Sequence, residues 1–158
     1  ETYTPAIVGS VRCVIRDSTH AAQGGADGEH GQKLKQVDYT FDVLKKTLGN
    51  TFKNTLIITL TEFGRTLVQN NGYGTEHGYG TSILLGGGLV KKSQVYADWP
   101  GIKNKNLFEG RDLNSTLDAR SVYCSAMSVC FETDFQLLNE EVFPDKKLND
   151  LTNILFKV

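Results

Sequence analysis

Apolar residues fall along this chain in two kinds of pattern, short dense runs and spaced stripes, and each predicts an element. Residues 6–15, AIVGSVRCVI, are apolar and rich in β-branched side chains, which predicts a strand. Leu34, Val37, Phe41, Leu44 and Leu48 then recur at helical spacing with lysines and aspartates between them. That stripe predicts an amphipathic helix stopped by Gly49. TLIITL at 55–60 and TSILLGGG at 81–88 are short apolar runs and predict two further strands. KKSQVYADWPG predicts a short extension or hairpin ended by Pro100. At 115–131, Ser115 or Thr116 offers a helix N-cap, and Leu117, Val122, Ala126 and Val129 give the apolar stripe of a second helix. The closing stretch LTNILFKV reads as one more short strand.

The order strand, helix, strand, strand, helix predicts an α/β fold, a mostly parallel sheet flanked by helices. A helix between two strands makes a right-handed crossover, which joins parallel neighbours. In such sheets ligands gather beyond the carboxyl ends of the strands. RDSTH follows the first strand, TEFGR the second, and GTEHGYG lies just before the third. Asp17, His20, Glu62, Arg65, Glu76 and His77 are therefore expected at one rim.

Those residue types suit a particular chemistry. Carboxylates and imidazoles together bind divalent ions such as zinc or manganese. Asp17, His20, Glu76 and His77 are the candidate ligands. The glycines around Glu76 and His77 allow a turn that lets these adjacent side chains converge. Arg65 carries a bidentate fork that fits phosphate or sulfate oxygens. Glu62 is a candidate ligand or orienting group. A metal with an arginine clamp is an apparatus for hydrolysing phosphate or sulfate esters. The bland readings are equally concrete. Asp-x-x-His is common by chance, Glu62 can simply pair with Arg65, and His30 reads as a surface or capping residue.

Composition narrows the class. With 158 residues the chain has a usual length for a single domain, 1–158, and 39% hydrophobic residues suffice for a buried core. A net charge of −1 offers no broad field for nucleic acid or an anionic membrane. No stretch approaches the length of a membrane span. Cys13, Cys124 and Cys130 lack metal-type spacing and read as small buried apolar residues. Trp99, Tyr73, Tyr79 and Tyr96 would suit a saccharide-binding module, although packing accounts for them more simply.

A family resemblance joins these pieces. TEFGRT, NNGYGTEHGYG, LLGGGLVKKSQVYADWPGI, LFEGRDLNSTLDARSV and VFP occur in an order that resembles domain-of-unknown-function family 1501, a sulfatase-like branch of the alkaline phosphatase superfamily. The likeness spans roughly residues 11–144. It implies a metal-dependent hydrolase of a sulfate or phosphate ester, exported to the periplasm or beyond the cell. It maps His20 onto the histidine of the family's Asp-Thr-His element, His77 onto that of its Asp-His-Gly element, and Glu62 and Arg65 onto the Glu and Arg after the central strand. Arg111, Asp112, Asp118 and Arg120 match further family elements and are expected to form a buried ion-pair network. Two positions depart from the pattern. Ser18 stands where the family has Asp, with Asp17 one residue earlier, and Glu76 stands where the family has Asp. Family members are also far longer, so the chain resembles a C-terminal portion that needs its N-terminal half or a partner chain. The rival expectation is a non-catalytic binding or structural subunit with a degenerate metal site.

Overall fold

The structure, a computed structural model, describes residues 20–157. The strand expected over residues 6–15, together with Cys13, Asp17 and Ser18, lies outside the described residues.

The first helix forms where the stripe predicts it. α1 spans Glu29–Leu48 and stops at Gly49, whose φ of 51° lies in the positive range that glycine tolerates best. A 3-10 turn over Gly49–Asn54 follows and leads into β1, Ile57–Ile58. The chain then makes an irregular excursion carrying β2, Gly64–Arg65, and β3, His77–Gly78, and returns at β4, Leu85–Gly86. Beyond it lie α2, Ala119–Phe131, α3, Phe135–Val142, and a single turn α4, Thr152–Leu155.

The expected parallel sheet is absent among the described residues. Two antiparallel two-stranded ladders stand in its place, β1 with β4 and β2 with β3. The reason lies in the connections. A parallel pair needs a crossover between its strands, usually a helix. The chain between β1 and β4 contains no helix, only the loop excursion, so it doubles back and pairs antiparallel. The α/β, alkaline-phosphatase-like expectation is therefore corrected to a helical protein with two small antiparallel ladders.

The tail also differs. LTNILFKV forms the turn α4 rather than a strand, and only Phe156 makes a bridge, to Val90. No ladder forms within residues 91–100, which are exposed throughout. The cap of α2 is Asp118, not Ser115 or Thr116, since its carboxylate is the one that accepts the Arg120 N–H, at 3.0 Å.

The core sits between α2, α4 and the first ladder. Val122, Ala126, Leu151, Leu155 and Phe156 are buried together, with Ile58, Ile83, Leu85, Leu117 and Val129 packed around them. Two serines on α2 tie the tail to this core. Ser125 Oγ donates to Ser121 O and accepts the Leu151 N–H at 2.9 Å, while Ser121 Oγ accepts the Asn149 N–H at 3.0 Å. Helix α1, by contrast, buries none of its residues. Phe41 reaches the first ladder because Gly86 has no side chain; a Cβ there would lie 2.3 Å from the ring. Cys124 is fully buried and Cys130 half-buried, both as free thiols whose burial pushes their pKa up.

Candidate functional site

The excursion between β1 and β4 brings the candidate residues together. β2 and β3 pair in a register that sets Gly64 opposite Gly78 and Arg65 opposite His77. Such close strands require glycine. A Cβ on Gly64 would lie 1.8 Å from the Gly80 carbonyl oxygen. The glycines of the GYGTEHGYG stretch therefore allow backbone to meet backbone, which answers why so many occur there.

His20 arrives from the other side. Ala22 N–H donates to Gly72 O at 2.8 Å and Gln23 N–H to Tyr73 O at 3.0 Å, which fastens the segment after His20 onto the turn at 70–74. Gly74 permits the approach, because a Cβ there would lie 2.3 Å from His20 O. The result is a cluster of rings. The His20 and His77 centroids are 4.6 Å apart with the planes tilted by 42°, and Phe63 stacks on His77 at 3.7 Å. The Arg65 guanidinium lies over Phe63 at 5.6 Å and donates to Thr75 O at 3.1 Å.

Glu76 supplies the charge. His20 Nδ1 lies 3.2 Å from Glu76 Oε2, and Asn70 Nδ2 donates to Glu76 Oε1 at 2.5 Å. The bond from Asn70 holds the Glu76 carboxyl below its ordinary 4.5; desolvation works against it, and the bond to His20 adds to it. A carboxylate can only accept, so its partner nitrogen on His20 carries the proton. In the neutral ring Nε2 is then the free acceptor, the form in which an imidazole binds a metal.

Of the six expected rim residues, His20, Arg65, Glu76 and His77 lie together. Glu62 is exposed and takes no part in these contacts, so the pairing with Arg65 does not form. Asp17 is outside the described residues. His30 is exposed in the first turn of α1, as expected of a surface residue. Among the described residues no group of three or more His, Cys, Asp and Glu side chains is arranged to hold a metal ion.

The remaining charged residues form two separate pairs rather than one buried network. Arg111 grips the buried carboxylate of its neighbour Asp112 through two bonds of 2.8 and 2.9 Å. Arg120 grips Asp118, and both are partly exposed. Each pair joins residues one or two apart, so sequence proximity replaced the long-range network. The aromatics lie at the surface. Tyr73, Tyr79, Tyr96 and Trp99 are all exposed, and of these Tyr79 stacks on Phe108 at 4.1 Å.

Sequence reasoning missed Asn70 and Phe63. Asn70 carries a weak signal, since Asn-Asn-Gly marks a turn, but a turn signal says nothing about which side chains the amide will meet. Phe63 sits inside TEFGR and reads as one more apolar residue at a strand end.

No helix among the described residues is long and apolar enough to cross a membrane. Comparison with curated proteins and with solved structures returns no significant match. A family described as "Protein of unknown function (DUF1501)" matches residues 18–130, a span that begins one residue after Asp17 and holds His20, Glu62, Arg65, Asn70, Glu76 and His77. That span is most of the chain, and the protein belongs to the DUF1501 family.

Proposed function

We propose that the His20–His77 cluster binds a divalent metal, zinc or manganese, and serves the hydrolysis of a sulfate or phosphate ester in the periplasm or outside the cell. The observation that carries this reading is the convergence of two imidazoles, 4.6 Å apart, with a carboxylate on the Nδ1 side of one of them. Imidazoles are donors that zinc accepts, and two of them would need a further ligand from outside the cluster. The roles divide as follows. His20, through Nε2, and His77 are ligands. Glu76, assigned from sequence as a ligand, acts mainly by orienting His20, as carboxylates commonly do behind metal-bound histidines. Asp17, from outside the described residues, is the remaining ligand candidate. Arg65 has one guanidinium nitrogen on Thr75 O and others to offer an anion. When bound, the metal would polarise the ester and acidify a water. Glu62, expected from the sequence as a ligand or orienting group, has an exposed carboxylate that would be available for proton transfer. The ester class is taken from the sulfatase-like kinship expected of the family, while the EF of TEFGR stands where related phosphatases and sulfatases carry a metal-binding Asp-His pair.

Metal analysis tests this reading. The purified chain should hold one equivalent of zinc or manganese, and His77→Ala and His20→Ala should each weaken it about 10-fold or more. A chain that takes up neither metal, or variants that bind as tightly as the parent, would end the hydrolase assignment.

A second reading is favoured by a different observation. Both Glu76 oxygens and one arm of Arg65 are already engaged inside the protein. A non-catalytic domain would keep these bonds as a latch that closes the loop on itself. In that case no metal binds, and His20→Ala lowers thermal stability without changing any affinity.

A further inference from the structure

The paired histidines depend on a residue that carries no charge and whose side-chain hydrogen bonds go to a backbone carbonyl, a carboxylate and two backbone amides. We infer that Asn70 is the positioning residue of this site, a single carboxamide that holds the His20 backbone and the Glu76 carboxylate in one frame. The inference deepens the proposed function and takes the His20–His77 cluster as its site.

The orientation of the carboxamide follows from its partners. Asn70 Oδ1 accepts the Gly72 N–H at 2.9 Å and the Gly74 N–H at 3.0 Å. Only an oxygen can meet two donors, so the amide nitrogen must point the other way. There it meets two acceptors, His20 O at 2.7 Å and Glu76 Oε1 at 2.5 Å. The main chain of Asn70 adds two more bonds, its N–H to Gly74 O at 2.9 Å and its carbonyl accepting the Tyr73 N–H at 3.2 Å. A single half-buried residue thus closes a turn on one side and, on the other, ties the remote His20 segment to Glu76, six residues further along its own loop.

The order of dependence is readable. The free oxygen of Glu76 takes His20 Nδ1, so Glu76 sets the direction of the ring. Asn70 sets the direction of Glu76 and, through the carbonyl, the height of the His20 main chain. Tyr73 pays part of the cost with a φ of 60° in a residue that has a side chain, and Ala22 sits similarly at 51°. The two residues are joined through the adjoining bonds at Gly72 and Gln23, so strain collects where the His20 segment meets the turn.

Asn70→Asp separates positioning from turn closure. Aspartate keeps the acceptor for Gly72 and Gly74 but loses both donors and places a second carboxylate against Glu76. The readout is nuclear magnetic resonance of the full chain without added metal, so the answer does not depend on whether the metal assignment holds. In the parent protein, ring-to-ring Overhauser effects should connect His20 with His77, and His20 should carry its proton on Nδ1. In N70D those effects should vanish and the proton preference should be lost, while the Gly72 and Gly74 amide signals stay in place. A folded N70D with unchanged ring contacts and tautomer overturns the inference. Should N70D fail to fold, the parent chain decides. The Asn70 side-chain amide protons should exchange with water more slowly than those of exposed Asn71, and equal exchange overturns the inference.

Discussion

Arg65 and His77 stand directly opposite each other on the paired strands β2 and β3. Residues at opposed positions of an antiparallel pair project to the same face of the ladder. This places a fixed cation beside a titratable ring, with Phe63 in contact with both. The pairing rests on the neighbouring glycines, because the strands approach too closely for any side chain at Gly64.

Gly64→Ala should therefore be disruptive. Its Cβ would meet the Gly80 carbonyl oxygen at 1.8 Å, and backbone cannot rotate aside as a flexible side chain can. The expected loss is about 1–3 kcal/mol, the usual range for overpacking. Gly25→Ala is the control, since nothing lies within 4 Å of its Cβ position. It should stay within about 0.5 kcal/mol of the parent. Urea unfolding of both variants measures the difference.

Asp118 both caps α2 and pairs with Arg120. The hydrogen bond from Arg120 holds its carboxyl below the ordinary 3.8, so its folded pKa is depressed. The stabilisation is thus present above that value and is lost as pH falls through the folded pKa. Asp118→Ala should cost about 1 kcal/mol for the lost cap. Asp118→Asn keeps a good cap and removes only the charge. Its deficit should be small, because the pair is partly exposed and screened by solvent. Thermal unfolding across the acid range should show the N variant converging on the parent below pH 3.8, while the A variant stays less stable.

Ser125→Ala should loosen the tail. The hydroxyl is fully buried and receives the Leu151 N–H, which no water could reach once it is removed. An orphaned buried donor costs about 1–3 kcal/mol. Hydrogen exchange should locate the change at Leu151 and α4 rather than along α1. Uniform loss across all helices would contradict this placement.

The sequence made some of this legible and hid the rest for identifiable reasons. α1 was legible because Leu34 to Leu48 repeat at 3.6-residue spacing and Gly49 ends the pattern, both local signals. The direction of the strands was not, because the pairing of Ile57 with Gly86 depends on how the whole excursion between them returns. The short tail element was ambiguous for a similar reason. LTNILF holds too few residues for periodicity to choose, and Phe156 joins α4 to a bridge with Val90. In the site, His20, Glu76 and His77 were legible as residue types flanked by glycine. Asn70 was not, since its four side-chain bonds reach His20, Glu76, Gly72 and Gly74, and His20 lies fifty residues away in a separate stretch of chain.

The most direct measurement is a zinc titration of the intact chain followed through the imidazole nitrogen signals of His20 and His77. A shared site predicts that both rings shift together and saturate at one equivalent, with His20 responding at Nε2 while Nδ1 keeps its proton. Shifts confined to one ring, or no saturable shift in either, would contradict a metal site built on this pair.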